Sequence, residues 1–374
     1  MNALICGGGT AGHVNPGVAI ADALSGIDKT CKVAFVGRLG GDEYKLVEER
    51  SIPLYRLRAE GFDRRHPVKN IKTLSTLTKS VFEAKKIIKD FEPDVIIGTG
   101  GYVCAPVILG GRFMKIPTVL HESNAYPGLT TRLLSPLCDS VLLNFEACSR
   151  HLKNKKNFKV VGNPLLFDFG KITKDEARRK LGIGKNDYLI VSFGGSGGAE
   201  AVNKCIIELM KAYSTKNSLI KHIHAVGNKY YPEIKKNESN LCRGSHGCKI
   251  LPYIENMPVV MNAADLVISR CGAMTLSEIS AVGVASILIP SPNVADNHQL
   301  KNAKQYVSDG CAVLIEENEL NLRTLLDAVR DLHHDAERSC TMAFSARKKH
   351  NKNATQDIIK EIFKAARKEL RENF

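Results

Sequence analysis

The chain has 374 residues, 44% of them hydrophobic and 25% charged, an ordinary globular composition that excludes a disordered or fibrous protein. At roughly 100–200 residues per domain, this length predicts two domains, each large enough to bury its own core. Lys and Arg number 53 against 39 Asp and Glu, a net charge of +14, so the expected partner is anionic: nucleic acid, a phosphorylated substrate or an anionic membrane.

Short apolar runs alternate with amphipathic segments, the pattern of a parallel α/β sheet. In chain order the first predicted strands are Ala3–Cys6, Val33–Val36, Val95–Thr99, Thr118–His121, Ser140–Leu143 and Lys159–Val161. Gly162-Asn163-Pro164 marks a boundary, after which Lys171–Arg179 opens a new helix. The second set is Leu189–Phe193, Ile223–Val226, Lys249–Leu251, Leu266–Ser269 and Ser286–Pro290. Past Ala312–Ile315 the chain reads as helical, closing on a basic amphipathic helix over Ala354–Leu370. Each set suffices for one doubly wound sheet, and two sheets joined by one linker predict a ligand cleft between domains.

Met1–Cys6 has neither a basic start nor a long apolar run, so no secretory leader is expected. No apolar stretch approaches the ~18–20 residues that span a bilayer. The 11 cysteines are odd in number and lie mostly inside apolar runs, which suits a reduced, cytosolic protein. Cys242, His246 and Cys248 are close in sequence, but no CxxC pair accompanies them, and a surface loop is the better reading than a zinc site.

The chemistry is carried by glycine loops between strand ends and helix starts. Ala3–Cys6 runs into Gly7-Gly8-Gly9-Thr10-Ala11-Gly12-His13, Val95–Thr99 into Gly100-Gly101-Tyr102, and Leu189–Phe193 into Gly194-Gly195-Ser196-Gly197-Gly198. There, free N–H groups and the helix dipole favour an anion such as phosphate. Gly7, Gly9 and Gly12 match a dinucleotide fingerprint by letter. The acidic residue expected at the end of the second strand, about 20 residues on, is missing, since that strand ends in Gly37-Arg38. No loop ends in the Gly-Lys-Ser/Thr of a Walker motif. Later, Ser269-Arg270-Cys271-Gly272-Ala273-Met274-Thr275-Leu276-Ser277-Glu278 reads as a strand end, a break and a helix start. Its exposed N–H groups suit a diphosphate, and Glu278 could accept from sugar hydroxyls or merely balance the helix dipole. Asp296-Asn297-His298-Gln299 opens a further helix with a cluster of hydrogen-bonding groups.

These residues resemble the MurG family of peripheral membrane N-acetylglucosaminyltransferases. The resemblance is carried by Gly8–His13 with Asn15-Pro16-Gly17, by Gly100–Pro106, and by His121-Glu122-Ser123-Asn124. It continues through Val161–Pro164, Gly194–Ser196, Ser269–Glu278 and Asp296–Gln299. It implies the GT-B fold, two Rossmann-like doubly wound α/β domains facing across a cleft. The expected domains are 1–163, with helix 354–374 packing back on it, for the acceptor and membrane, and 164–345 for UDP-GlcNAc. The implied reaction is inverting transfer of GlcNAc from UDP-GlcNAc to the MurNAc C4 hydroxyl of lipid I (undecaprenyl-pyrophosphoryl-MurNAc-pentapeptide), giving lipid II.

Carried over by position, Ser196 and the N–H groups of Ala273, Met274 and Thr275 would bind the diphosphate, with Leu276 and Ser277 also among the substrate-binding residues. Glu278 would take the ribose hydroxyls and the backbone of Ile254 would read uracil. Gln299 and Asn124 would hold the GlcNAc hydroxyls, with Thr10, Ala11 and Gly12 on the facing side. The acceptor hydroxyl needs a base, for which His13, whose type titrates near neutrality, is the candidate, with Glu122 either the base instead or the group that orients it. No metal and no other cofactor is expected, because a helix dipole can carry the leaving charge. Four departures from the family pattern bear on donor contacts: Ala11, Cys104, Leu166 and Gly197.

Arg64–Lys89 carries eight basic residues against Glu83 alone, interleaved with Ile71, Leu74, Leu77, Val81 and Phe82. It predicts an amphipathic helix whose apolar stripe packs on the sheet or faces an anionic membrane, to which Arg112, Phe113, Met114 and Lys115 could add. The expected location is peripheral, on the cytoplasmic face of the bacterial plasma membrane. Rival readings are a diacylglycerol glycosyltransferase and a UDP-GlcNAc 2-epimerase of the same fold. With no recognisable nucleic-acid motif, nucleic acid is not expected as a partner.

Overall fold

Among the described residues, thirteen short strands build two all-parallel sheets, the central strands buried along the apolar runs of the sequence. A computed structural model describes residues 1–27, 29–41, 44–61, 69–153, 157–213, 219–236 and 247–370. The chain divides into two compact units, residues 1–166 with 351–374, and residues 167–350.

In the first unit the strands are β1 (Asn2–Cys6), β2 (Lys32–Arg38), β3 (Leu54–Leu57), β4 (Val95–Gly98), β5 (Thr118–Glu122), β6 (Ser140–Leu143) and β7 (Phe158–Val160). Their order across the sheet is β3-β2-β1-β4-β5-β6-β7, every neighbour parallel. β4, β5 and β6 are buried along their whole length, because helices cover both faces of a parallel sheet. One face carries helices Ala11–Ile27 and Ala354–Ala365, the other Lys69–Phe91 and Cys104–Phe113. The last helix belongs to this unit. Ile358, Ile359, Ile362 and Phe363 enter the core, each stabilising by about 1.5–3 kcal/mol. Asn351 Nδ2 donates to the Val161 carbonyl (2.9 Å), tying the returning chain to the end of β7.

The second unit repeats the scheme with β8 (Tyr188–Phe193), β9 (Ile220–Ala225), β10 (Cys248–Leu251), β11 (Leu266–Ser269), β12 (Ala285–Leu288) and β13 (Val313–Leu314). The order is β10-β9-β8-β11-β12-β13, again all parallel. In both units the strand order reverses next to the first strand, so loops at the C-terminal ends of β1 and β4, and of β8 and β11, meet at a topological switch point.

The structure departs from the sequence reading in places. β3 and β13, four and two residues long, are edge strands too short to show a period. The helix read from Lys171 starts at Lys174, because Thr173 caps it in a reciprocal box with Glu176. The final helix stops at Ala365 rather than Leu370. In helix Lys69–Phe91 the buried face runs through Ser80, Ala84 and Ile88, while Phe82 is 62% exposed. Adjacent residues on a helix stand 100° apart, so Val81 and Phe82 cannot share one stripe. Arg64 and Arg65 lie outside the described residues, as do Cys242 and His246. No disulfide joins the described cysteines.

Candidate functional site

Two glycine loops of the first unit interlock. After β1 the chain turns through Gly7–Thr10 into the helix starting at Ala11, and the His13 N–H donates to the Thr10 carbonyl at 3.0 Å. After β4, Gly8 N–H donates to the Gly100 carbonyl at 3.3 Å, and the Thr99 hydroxyl donates to the His13 carbonyl at 2.7 Å. Gly100 has φ +113°, and a Cβ there would collide with the His13 ring. At Gly101 a Cβ would collide with the Gly8 carbonyl. The imidazole is therefore packed on bare backbone, and only glycine allows that approach. His13 is partly exposed, as are Ala11 and, more so, Gly12.

Glu122, at the end of β5, is placed differently from a general base. Its Oε1 accepts from the Asn124 N–H and Nδ2, both at 3.0 Å. Oε2 accepts from the Gly128 N–H (3.1 Å) and the Thr131 hydroxyl (2.6 Å). Four bonds occupy a buried carboxylate that has room for about four, so no lone pair remains for a substrate proton. The residue holds the Asn124–Gly128 loop, with Asn124 at its partly exposed edge. His121 is neutral, since burial pushes its pKa down, and Nε2 pairs with the Gly162 carbonyl at 2.9 Å.

In the second unit three further segments end on one edge of the sheet. The β8 loop exposes Ser196, whose hydroxyl has no hydrogen-bond partner among the described residues. Behind it Gly198 and Gly227 pack back to back, and Asn203 Nδ2 donates to the Val226 carbonyl at 2.9 Å. After β11 the helix Ala273–Val282 begins with Gly272 as N-cap, with no side-chain cap and no acid in its first turn. That end carries partial positive charge and suits an anion. Met274 and Leu276 are buried, so only their backbone faces a ligand, while Thr275 and Ser277 are partly exposed. Glu278, further along, makes no hydrogen bond or ion pair among the described residues. Its carboxyl is desolvated, which pushes the pKa up to about 7.

Gln299 Oε1 accepts from Ser291 N–H (2.9 Å) and Cys271 N–H (3.3 Å), which leaves Nε2 to donate to a ligand oxygen. Asp296 and Asn297, at φ +56° and +51°, bend the chain into the helix that carries it. Arg270 ties strand ends together: it donates to the Ile289 and Pro290 carbonyls at 3.2 and 3.1 Å and pairs with Glu317. Ile254 is buried beyond β10, next to the half-exposed Tyr253. No cluster of three or more His, Cys, Asp or Glu able to hold a metal occurs among the described residues.

The four departures fit locally. Cys104 Sγ lies 3.1 Å from both the Cys6 and Gly100 carbonyls, so its single S–H can donate to either, as a serine hydroxyl would. Ala11 avoids the left-handed region, Gly197 sits in open space, and Leu166 packs on the first unit's core. Thr99, Asn203 and Arg270, which shape the loops, were not among the predicted site residues. Each lies within or beside a glycine motif, the one signal that could have found them.

The chain matches the Glycosyltransferase family 28 N-terminal domain over residues 3–143 and its C-terminal domain over residues 189–362. It is 40% identical to a UDP-N-acetylglucosamine–N-acetylmuramyl-(pentapeptide) pyrophosphoryl-undecaprenol N-acetylglucosamine transferase of Acetivibrio thermocellus, over 97% of this chain and 99% of that one. A relative with the same name from Caldanaerobacter subterraneus is 41% identical, over 89% and 91% of the two chains. The crystal structure of MurG from Acinetobacter baumannii is similar at a TM-score of 0.76 and 25% identity, covering 97% and 99%. A UDP-GlcNAc 2-epimerase of Neisseria meningitidis shares the fold at 16% identity and a TM-score of 0.66, covering 97% and 100%.

Proposed function

Because the chain belongs to the MurG family of UDP-GlcNAc-dependent N-acetylglucosaminyltransferases, we propose that its second unit binds the donor and its first unit activates the hydroxyl of lipid I. The enzyme is a GT-B glycosyltransferase that makes a peptidoglycan precursor. The observation that carries the donor assignment is that the Ala273 helix start, without a side-chain cap, and the Ser196 hydroxyl follow two neighbouring strands of one sheet, with the Glu278 carboxyl further along that helix, and that neither side chain has a partner among the described residues. The helix end and Ser196 receive the diphosphate, and Glu278 accepts from the ribose hydroxyls. The Ile254 backbone reads uracil, and Gln299 Nε2 donates to a GlcNAc oxygen.

His13 takes the proton from the MurNAc C4 hydroxyl as that oxygen attacks C1 of GlcNAc, inverting the anomeric centre. The C1–O bond to UDP breaks, and the leaving diphosphate's charge falls on the helix N-terminus. Glu122 keeps the Asn124 loop in place for the sugar and does not exchange the proton.

With that charge met by backbone dipoles, turnover is expected to stay within about twofold in excess chelator. Loss of activity in EDTA, restored by Mg²⁺ or Mn²⁺, would contradict this.

We also propose that the first unit rests on the cytoplasmic face of an anionic membrane. No helix among the described residues is long and apolar enough to cross one. Phe82 and Phe113 are 62% and 68% exposed, and Lys85 Nζ lies 5.9 and 4.6 Å from their ring centroids. Lys79, Lys86, Lys89, Arg112 and Lys115 lie in the same two helices or just beyond. Basic residues near anionic lipid add about 1 kcal/mol each, and exposed rings insert at the headgroup level. In liposome flotation the protein is expected to float with anionic vesicles at low salt and to sink at 0.5 M salt. The pair Phe82→Glu and Phe113→Glu should abolish flotation; equal binding to neutral and anionic vesicles would refute the electrostatic part.

A further inference from the structure

We infer that Tyr44 is a positioning residue for the transfer: it props the first glycine loop from beneath and so sets where His13 stands. The inference rests on the reading of His13 as the base. Tyr44 lies just past the end of β2, which is where a dinucleotide-binding fold puts the acid for a ribose. Here a fully buried tyrosine fills that place.

Its hydroxyl accepts from the Arg38 N–H at 2.6 Å and donates to the Gly7 carbonyl at 3.2 Å, joining the end of β2 to the start of the loop. A Cβ at Gly8 would collide with the hydroxyl, and one at Gly37 would stand 2.6 Å from the ring. Two glycines have thus been given over to this one side chain. The ring is fixed edge-on by Phe35 at 6.1 Å and covered by the Arg56 guanidinium at 5.7 Å. From Gly8 the contact passes on through Gly100, whose backbone supports the imidazole. Tyr44 acts through Gly7 and Gly8.

The test compares Tyr44→Phe, which keeps the ring, with the parent enzyme and with His13→Ala. The readouts are steady-state transfer to a soluble lipid I analogue, UDP binding by calorimetry, and melting temperature. Tyr44→Phe is expected to lower kcat by roughly ten- to a hundredfold, the scale of a misplaced catalytic group. KM for UDP-GlcNAc and UDP affinity should stay within twofold. The kcat–pH profile should also shift, which a purely structural role would not produce in the folded enzyme. An unchanged kcat, or parallel losses in kcat and UDP affinity, would overturn the inference. If His13→Ala kept full activity, the base assignment would fall instead, whatever Tyr44→Phe did.

Discussion

Replacing His13 by alanine is expected to lower kcat for GlcNAc transfer by two to four orders of magnitude, the range for loss of a general base, with UDP affinity unchanged. The separation follows from placement. His13 lies in the first turn of the helix that follows β1 in the first unit, whereas Ser196, Glu278, Gln299 and the Ala273 helix start lie in the second. Gly100→Ala tests the same point from below. It leaves the imidazole in the protein but moves it, since a Cβ there collides with the ring and the residue sits at φ +113°. Its kcat should fall in the same direction, with donor binding again preserved. Single-turnover assays with saturating UDP-GlcNAc measure both. A His13→Ala enzyme within tenfold of the parent would place the base elsewhere.

Glu278→Gln is expected to cut kcat/KM for UDP-GlcNAc by roughly ten- to a hundredfold, since hydrogen bonds to a charged group contribute about 1.5–3 kcal/mol. The same substitution should stabilise the free protein. Burial holds the carboxyl pKa at about 7, above its ordinary 4.5. A raised carboxyl pKa means the folded state prefers the neutral form, so the stability linked to it is complete below pH 4.5. It is lost as pH rises through about 7, and by pH 8 the charged group costs of order 2–3 kcal/mol. Gln carries no such penalty, so the melting temperature of Glu278→Gln should exceed the parent's at pH 8 and converge with it near pH 5. Donor affinity in the parent should rise between pH 6 and 8 as the ribose acceptor ionises, and in Glu278→Gln that rise should flatten. Calorimetric titration of UDP across this range, with thermal melts alongside, measures both signs. A variant with parental affinity at pH 8 would remove Glu278 from the site.

Much of this was legible in the sequence, for physical reasons. Val95-Ile96-Ile97 and Leu266-Val267-Ile268 are apolar without alternation because helices cover both faces of a parallel strand. Strand ends followed by glycine were visible because close backbone approach leaves few other residues possible. What the sequence hid is what lies opposite those glycines. Tyr44 is 37 residues from Gly7, and Thr99 is 86 from His13, and no local period links such pairs. In the sequence, Glu122 stands out through the His121–Asn124 segment that resembles the family's, which says nothing of what its carboxylate bonds to. Its actual partners, Asn124, Gly128 and Thr131, all lie within nine residues and make it the hub of a loop. Neighbouring apolar residues draw Phe82 into a stripe on paper, but the helix turns it away from them, and its exposure takes it out of the core.

The most direct measurement is incubation of the purified protein with radiolabelled UDP-GlcNAc and a lipid I analogue, alongside diacylglycerol. Label should pass to the MurNAc of the lipid I analogue, giving a β-linked disaccharide, with none in diacylglycerol and none in a 2-epimerised UDP-sugar. Unlabelled lipid I beside labelled glycolipid or epimer would show that the same fold and donor site serve a different reaction.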